Sequence, residues 1–235
     1  MLKSKIINKE SGLIFYSLTP PKANSDLDKI RNVANKQMKM LSDANIDGLI
    51  LYDIQDEADR TDAERPFAFM STLKPEQYAN EYLQNLTIPK VIYKSIANLN
   101  EEGFKEWLLN NKNLDLSVFV GASSQQHAER NNFSLGDAYR LRKELNDSLV
   151  IGGVTIPERH VKKADEHIRI RRKIESGCSF FVSQCVYSPN NTKNVMSDYY
   201  YDSIENESEL YPMIFTLAPC GSFKTLQFME WLGIE

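Results

Sequence analysis

The sequence predicts an α/β protein of the (β/α)8 barrel class that lacks its eighth unit. Short apolar runs rich in β-branched and aromatic residues alternate with amphipathic helical patterns along the chain. Most of the apolar runs have no polar face, which is typical of parallel strands that helices cover on both sides. The runs recur roughly every 25 to 40 residues, close to the length of one unit in a barrel of about 250 residues.

Seven strands are predicted, and they begin near Leu13, Asp47, Pro89, Leu116, Leu149, Ser179 and Tyr211. Helices are predicted after an N-cap at Ser25, over PEQYANEYLQNL, EEGFKEWLLNN and SLGDAYRLRKEL, from about His160 to Ser176, and over FKTLQFMEWLGI. The pattern ends where a seventh helix should end, so we predict one domain over residues 1–235 without the eighth strand and helix. A doubly wound open sheet is the alternative, but no GxGxxG follows the first strand.

Charge and composition limit the classes of partner. The net charge of -4 comes from 32 acidic and 28 basic residues spread along the chain. Such a balance gives no electrostatic reason to expect nucleic acid or an anionic membrane. No apolar run approaches the roughly 20 residues that cross a bilayer. We therefore expect a cytoplasmic protein, and a homo-oligomer stays open.

In barrels of this class the active site lies at the carboxyl ends of the strands. This rule selects Asp53, Gln55 and the rest of the acidic segment DIQDEADR after the second strand, and Lys94 after the third. Closely spaced carboxylates raise one another's pKa, so either Asp56 or Glu57 is the candidate general acid. The alternative is a solvated loop whose charges pair with nearby arginines.

Gln184 is an uncharged amide within the apolar strand SFFVSQCVY. A buried amide needs hydrogen-bond partners, because leaving it without them costs a few kcal/mol. Its donor and acceptor suit the amide edge of a heterocyclic ligand, and a structural network is the alternative. Tyr187 follows the same strand and is a second candidate for ligand contact.

The segment GGVTIPERH places Gly152 and Gly153 inside a strand, where a backbone or a ligand could approach closely. His160 then lies near the predicted mouth, either as a functional group or as a structural residue. We predict no metal site, because His160 and His167 do not have the i, i+4 spacing of a helical ligand pair and no HExxH is present.

Three segments together resemble the methylenetetrahydrofolate reductase family: GGVTIPERH, KIESGCSFFVSQCVY and PMIFTLAPCGSFKTLQFMEWLGI. The resemblance is strong from about Gly152 to the C-terminus and weak before it. It implies a barrel that binds FAD and reduces 5,10-methylenetetrahydrofolate to 5-methyltetrahydrofolate with NAD(P)H. It also implies folate contacts and cofactor contacts. The folate contacts are Gln184 and Phe223, and the cofactor contacts are His160, Glu166, Arg172 and Lys173. Strand-end position adds Tyr187 as a candidate folate contact and Ser123 as a candidate cofactor contact.

Two positions depart from that family. Ser17 stands where its first strand carries a glutamate, and Gly121-Ala122-Ser123 replaces its Arg-Gly-Asp. A serine has no proton to give near neutral pH, which is why the acid role falls to Asp56 or Glu57. The alternatives to a reductase are a folate-binding methyl-transfer protein that works beside a corrinoid protein, and a non-catalytic paralogue.

Overall fold

The computed structural model describes residues 1–56, 63–121 and 132–234. Helices and seven parallel strands alternate along the chain, which confirms the predicted α/β class. The chain forms two compact units. The first comprises residues 1–57 and 69–150, and the second comprises residues 58–68 and 151–235.

The first unit contains four parallel strands in the order β1-β2-β3-β4. The strands are β1 Phe15–Leu18, β2 Gly48–Leu51, β3 Lys90–Ser95 and β4 Leu116–Val120. The helices are α1 Leu2–Ile7, α2 Leu27–Ser42, α3 Pro75–Gln77, α4 Glu101–Asn110 and α5 Leu135–Leu145. A π-helical turn, Tyr78–Tyr82, continues α3.

The core of this unit lies between the strands and α4. All four residues of β2 are buried. Phe104 and Trp107 of α4 stack with ring centroids 5.7 Å apart, and Phe119 of β4 meets Phe104 edge-on at 5.2 Å. Such ring pairs contribute about 0.5–1.5 kcal/mol each beyond the area they bury. This packing fixes β3 and β4, whose carboxyl ends carry polar side chains.

The second unit contains β5 Val150–Thr155, β6 Cys178–Cys185 and β7 Met213–Thr216, which are parallel and adjacent in that order. Its helices are α6 Pro157–Lys163, α7 Glu166–Glu175, α8 Pro189–Glu205 and α9 Phe223–Trp231. The space above Gly152 is filled by the Phe180 ring, since a Cβ there would lie 2.6 Å from it. The two strand glycines thus admit side chains of the protein itself, because Phe181 and Lys173 likewise crowd Gly153.

Several helix boundaries differ from the predictions. The N-cap of α2 is Asp26, whose carboxylate accepts a 2.7 Å hydrogen bond from the Lys29 amide. The predicted helix from His160 to Ser176 is two helices, because Ala164 adopts a left-handed conformation with φ +47°. Helices α1 and α8 were not predicted. In α8 the polar start PNNTKN conceals the apolar spacing that its buried Val195 and Tyr199 provide.

Among the described residues, β7 pairs on one edge only, with β6. Its burial is also lower, since Phe215 is exposed whereas β6 is mostly buried. The eighth unit and the single domain remain predictions. No helix of the described residues is long and apolar enough to cross a membrane.

Candidate functional site

A cavity of about 270 Å³, lined by both polar and apolar side chains, opens at the carboxyl ends of β2 and β3 in the first unit. That is the end of a parallel sheet at which barrel and doubly wound enzymes bind their ligands. The lining side chains are Asp53, Ile54, Gln55, Asp56, Phe69, Ser71, Thr72, Lys74, Lys94, Ser95, Asn98 and Leu99.

Asp53 is part of the cavity lining. Its carboxylate follows β2 and accepts a 2.8 Å hydrogen bond from the backbone N–H of Ser95 at the end of β3. Burial raises the pKa of Asp53, and the Ser95 hydrogen bond and the nearby charge of Lys94 only partly offset that rise. A carboxyl group with a raised pKa beside a cavity is a candidate for ligand binding or proton transfer.

A second set of hydrogen bonds holds the strand ends together. The Ser95 hydroxyl donates to Gln55 Oε1 at 3.1 Å, and Gln55 Nε2 donates to the Gly121 carbonyl at 3.2 Å. These contacts join the ends of β2, β3 and β4. Gln55 therefore supports the cavity, since its amide oxygen and nitrogen both have protein partners.

Lys94 lies deep in the cavity wall with 5% of its surface exposed. Its ammonium group lies 3.1 Å from Glu76 Oε1, and the same oxygen accepts a 2.9 Å hydrogen bond from Trp107 Nε1. The ammonium also lies 5.2 Å from the centroid of the Trp107 ring. This geometry compensates a buried positive charge by an ion pair and a cation–π contact.

The opposite wall is formed by residues 69–74. Backbone hydrogen bonds fix this segment to the loop after β1, from Ala23 N–H to the Ser71 carbonyl and from Leu73 N–H to the Pro21 carbonyl, both at 2.9 Å. Lys74 is exposed on this wall, so its ammonium group faces solvent at the cavity rim.

The two acids predicted from the sequence, Asp56 and Glu57, do not share the burial of Asp53. Asp56 lines the cavity but is exposed, and Glu57 lies outside the described residues, as does Ser123. The strand-end rule did select Asp53. It could not rank Asp53 above Asp56, because the sequence does not show which carboxylate is desolvated.

In the second unit, Gln184 lies near the end of β6, as predicted. Its Nε2 is buried and has no hydrogen-bond partner within the described part of the chain. Tyr187 donates a 2.8 Å hydrogen bond to the Ala218 carbonyl. Phe223 is 73% exposed at the start of α9. Gln184 thus has an unsatisfied donor, and its ligand role stays a prediction.

Two of the residues predicted to bind the cofactor, Glu166 and Lys173, form hydrogen bonds with other residues of this unit. Glu166 is fully buried, and its two oxygens accept hydrogen bonds from the Ile156 amide at 2.9 Å and from Arg159 at 3.3 Å. Lys173 donates to the Val154 carbonyl, and burial lowers the pKa of its ammonium group. Arg172 is exposed. These contacts connect α6 and α7 to β5.

His160 is buried beside His167 and Asp198, and one ligand atom from each lies within 4.8 Å of the others. The prediction of no metal site relied on sequence spacing within one helix. The structure places the three residues on α6, α7 and α8, where that rule does not apply.

The fold and the cavity define a parallel α/β protein with a cavity at its strand ends. A solved structure titled as an uncharacterized protein from Clostridium thermocellum that binds two copies of 5-methyl-5,6,7,8-tetrahydrofolic acid is 43% identical, with a TM-score of 0.85. The match covers 100% of this chain and 75% of that one. The chain belongs to the family of that protein.

This similarity corrects the family that the sequence analysis predicted. The resemblance to methylenetetrahydrofolate reductases was wrong, since the 43% identical structure is a folate-binding protein that is not described as a reductase and no protein-family model matches the chain. No curated protein matches it either. The motifs that suggested the reductase are short, and proteins that share a fold can differ in function.

Two further structures share the fold alone. A 2,3-dimethylmalate lyase of the PEP mutase/isocitrate lyase superfamily is 12% identical, with a TM-score of 0.56, and the match covers 97% of this chain and 76% of that one. A protein from Aquifex aeolicus VF5 is 10% identical, with a TM-score of 0.53, over 93% of this chain and 79% of that one.

Proposed function

We propose that this protein binds a reduced folate, 5-methyltetrahydrofolate, and that the cavity beside Asp53 holds the pterin ring. The observation that carries the proposal is the 43% identical structure, which binds that folate and spans the whole of this chain. The folate-binding alternative of the sequence analysis therefore has better support than the reductase.

The chemistry of the cavity suits the pterin edge. A reduced pterin presents two neighbouring donors, the exocyclic amine and a ring N–H, beside a carbonyl acceptor. A carboxylate such as Asp53 can accept from both donors at once, which makes the contact stronger and more selective than a single neutral hydrogen bond. The Asn98 amide, with donors and an acceptor, also lines the cavity and suits the carbonyl side of the ring.

The size and charge of the cavity agree with this orientation. Its volume of about 270 Å³ is slightly below the roughly 300 Å³ at which pockets for drug-sized ligands begin. The cavity therefore suits the bicyclic head, and the aminobenzoyl-glutamate tail extends outward. Lys74 at the rim offers a positive charge to the carboxylates of that tail.

A methyl-transfer reaction is the second candidate function, and the raised pKa of Asp53 is the observation that favours it. When a nucleophile such as a corrinoid cobalt takes the N5-methyl group, the C–N bond breaks and its electron pair stays on N5. A proton from the Asp53 carboxyl group would neutralise that nitrogen. A raised pKa favours the protonated form of the carboxyl group, which is the form that this step requires.

Calorimetric titration with 5-methyltetrahydrofolate tests the binding proposal. We expect Asp53→Asn to weaken affinity by about 10- to 150-fold, since a hydrogen bond to a charged group contributes about 1.5–3 kcal/mol. Asparagine has a similar shape and can still accept from Ser95. Asp28→Asn is the matched control, because the Asp28 side chain is 90% exposed on α2. No binding by the wild type, or equal affinity of the two variants, contradicts the proposal.

The methyl-transfer candidate has its own readout. Free cob(I)alamin serves as the acceptor, and the rise of methylcob(III)alamin absorbance measures transfer from bound folate. Transfer by the wild type that is lost in Asp53→Asn at saturating folate supports an acid role. Tight folate binding without transfer supports a binding protein that performs no methyl-transfer chemistry.

A further inference from the structure

We infer that His160, His167 and Asp198 form a binding site for a divalent transition-metal ion. Two imidazoles and one carboxylate offer ligand atoms that lie within 4.8 Å of one another. The site belongs to the second unit and is independent of the folate proposal.

The backbone brings the two histidines together. In one continuous helix, residues seven positions apart are separated by about 10.5 Å along the axis. Here Ala164, in the left-handed region with φ +47°, ends α6 and lets α7 start in a new direction. The His160 and His167 ring centroids are consequently 5.5 Å apart, at an interplanar angle of 78°. A left-handed alanine is a strained conformation, and such strain often occurs at functional sites.

The hydrogen bonds of His160 indicate where an ion would lie. The Glu166 N–H donates to Nδ1 at 3.4 Å, so Nδ1 is an acceptor and Nε2 carries the proton. Nε2 donates that proton to Asp198 at 2.9 Å. An ion would take the place of this proton between Nε2 and the carboxylate, and the ring proton would move to Nδ1. The hydrogen bond from the Glu166 N–H to Nδ1 would then be lost, and at 3.4 Å it is long compared with the usual 2.9–3.0 Å of an N–H hydrogen bond.

His167 provides the second observation. Its Nδ1 is buried and has no hydrogen-bond partner in residues 1–56, 63–121 and 132–234. Buried polar atoms are nearly always satisfied, so this nitrogen is available to a ligand such as a metal ion. A metal bound at this ring fixes its tautomer and gives the other nitrogen a defined role.

The donor set selects the class of ion. Imidazole nitrogen suits zinc, cobalt, nickel and copper, whereas calcium and magnesium prefer an all-oxygen shell. Three protein ligands leave a fourth position for water, as in zinc sites that are not purely structural. Asp198 has 49% of its side chain exposed, so that position is accessible from solvent.

The test uses the 235-residue protein, stripped with a chelator and then titrated with zinc by calorimetry and with cobalt by visible absorption. We expect one ion per chain and cobalt bands typical of nitrogen and oxygen ligands without a thiolate charge-transfer band. His167→Ala and Asp198→Asn should each weaken zinc binding by more than the roughly 10- to 100-fold that loss of an outer-shell partner costs.

His127→Ala is the matched control, since His127 is the remaining histidine of the three in the sequence and is not one of the proposed ligands. Its zinc affinity should equal that of the wild type. Circular dichroism without metal identifies a variant that has lost its fold, and the exposed Asp198→Asn then carries the test. The proposal is overturned if the wild type binds no zinc, if the control loses affinity equally, or if the cobalt spectrum shows thiolate ligands.

Discussion

The buried ion pair of the cavity wall allows a sharp test of the first unit. Lys94 and Glu76 have side chains 6% and 14% exposed, with Nζ 3.1 Å from Oε1. Lys94→Met keeps most of the apolar stem but, among the described residues, leaves the Glu76 carboxylate with the Trp107 N–H as its remaining hydrogen-bond donor. Removing one partner of a buried pair typically costs about 3–5 kcal/mol, because the remaining charge is buried without compensation. We expect this loss in the free energy of unfolding.

The reverse change should cost less. In Glu76→Gln the amide oxygen can still accept from Trp107, and the Lys94 ammonium keeps the nearby charge of Asp53. We expect about 1–3 kcal/mol, the usual penalty for a weakened buried hydrogen bond. The double variant removes both charges, so it should be more stable than Lys94→Met alone. Such non-additivity is the signature of a direct interaction.

Urea unfolding measures all three variants, with the stability change taken from the midpoints at a common slope. The control is Lys105→Met, which breaks a solvent-exposed pair with Glu101 although its N···O distance of 2.8 Å is shorter. Exposed pairs contribute little, so the control should lose far less stability than Lys94→Met. If Lys94→Met costs no more than the control, or if the single effects add, the argument from burial is refuted.

Three other variants test the cavity and the second unit. Asp53→Asn should be more stable than the wild type at pH 7 and equal to it in acid, by thermal unfolding across pH. The folded-state pKa of Asp53 is raised above 3.8, so the wild type loses stability as pH rises from the unfolded pKa through the folded one. The sequence-based prediction that Gln184 contacts folate is tested by Gln184→Ala in calorimetry. Gln184 does not line the cavity beside Asp53, so a loss of roughly 1–3 kcal/mol in folate affinity would indicate a second folate site, whereas unchanged affinity removes Gln184 from folate binding. Gly152→Ala should destabilise the protein by about 1–3 kcal/mol through overpacking against Phe180, measured by urea midpoint, and Gly221→Ala is the control because no atom lies within 4 Å of its added Cβ.

The sequence predicts the strands well because burial on both faces leaves an unambiguous apolar run, as in β2 and β6. Helix α8 was missed because its first turn is polar and its apolar face is narrow. The split between α6 and α7 was missed because Ala164 gives no local signal of a left-handed conformation. Both predictions failed for the same reason. The missed features depend on tertiary packing, which a local sequence pattern does not show.

The candidate sites divide in the same way. Strand-end position alone identified Asp53, Gln55 and Lys94 as cavity residues. The choice of Asp56 and Glu57 as the acid relied on carboxylate density, whereas desolvation of Asp53 is the property that matters for its pKa. The histidine cluster was excluded on spacing, because contacts between three helices cannot be read from residue intervals. Desolvation and contacts between helices both depend on the fold.

The first unit concentrates its costly polar groups around one cavity. Asp53 has a raised pKa through burial, and Lys94 and Glu76 form a desolvated pair that apolar side chains of similar volume could replace without loss of stability. Natural proteins keep such groups where function requires them. Asp53→Asn separates a structural role of Asp53 from a role in ligand binding. Substitution of a purely structural residue would not raise stability and weaken folate affinity together. If Asp53→Asn gains thermal stability but loses folate affinity, the protein keeps the destabilising buried carboxylate because ligand binding requires it.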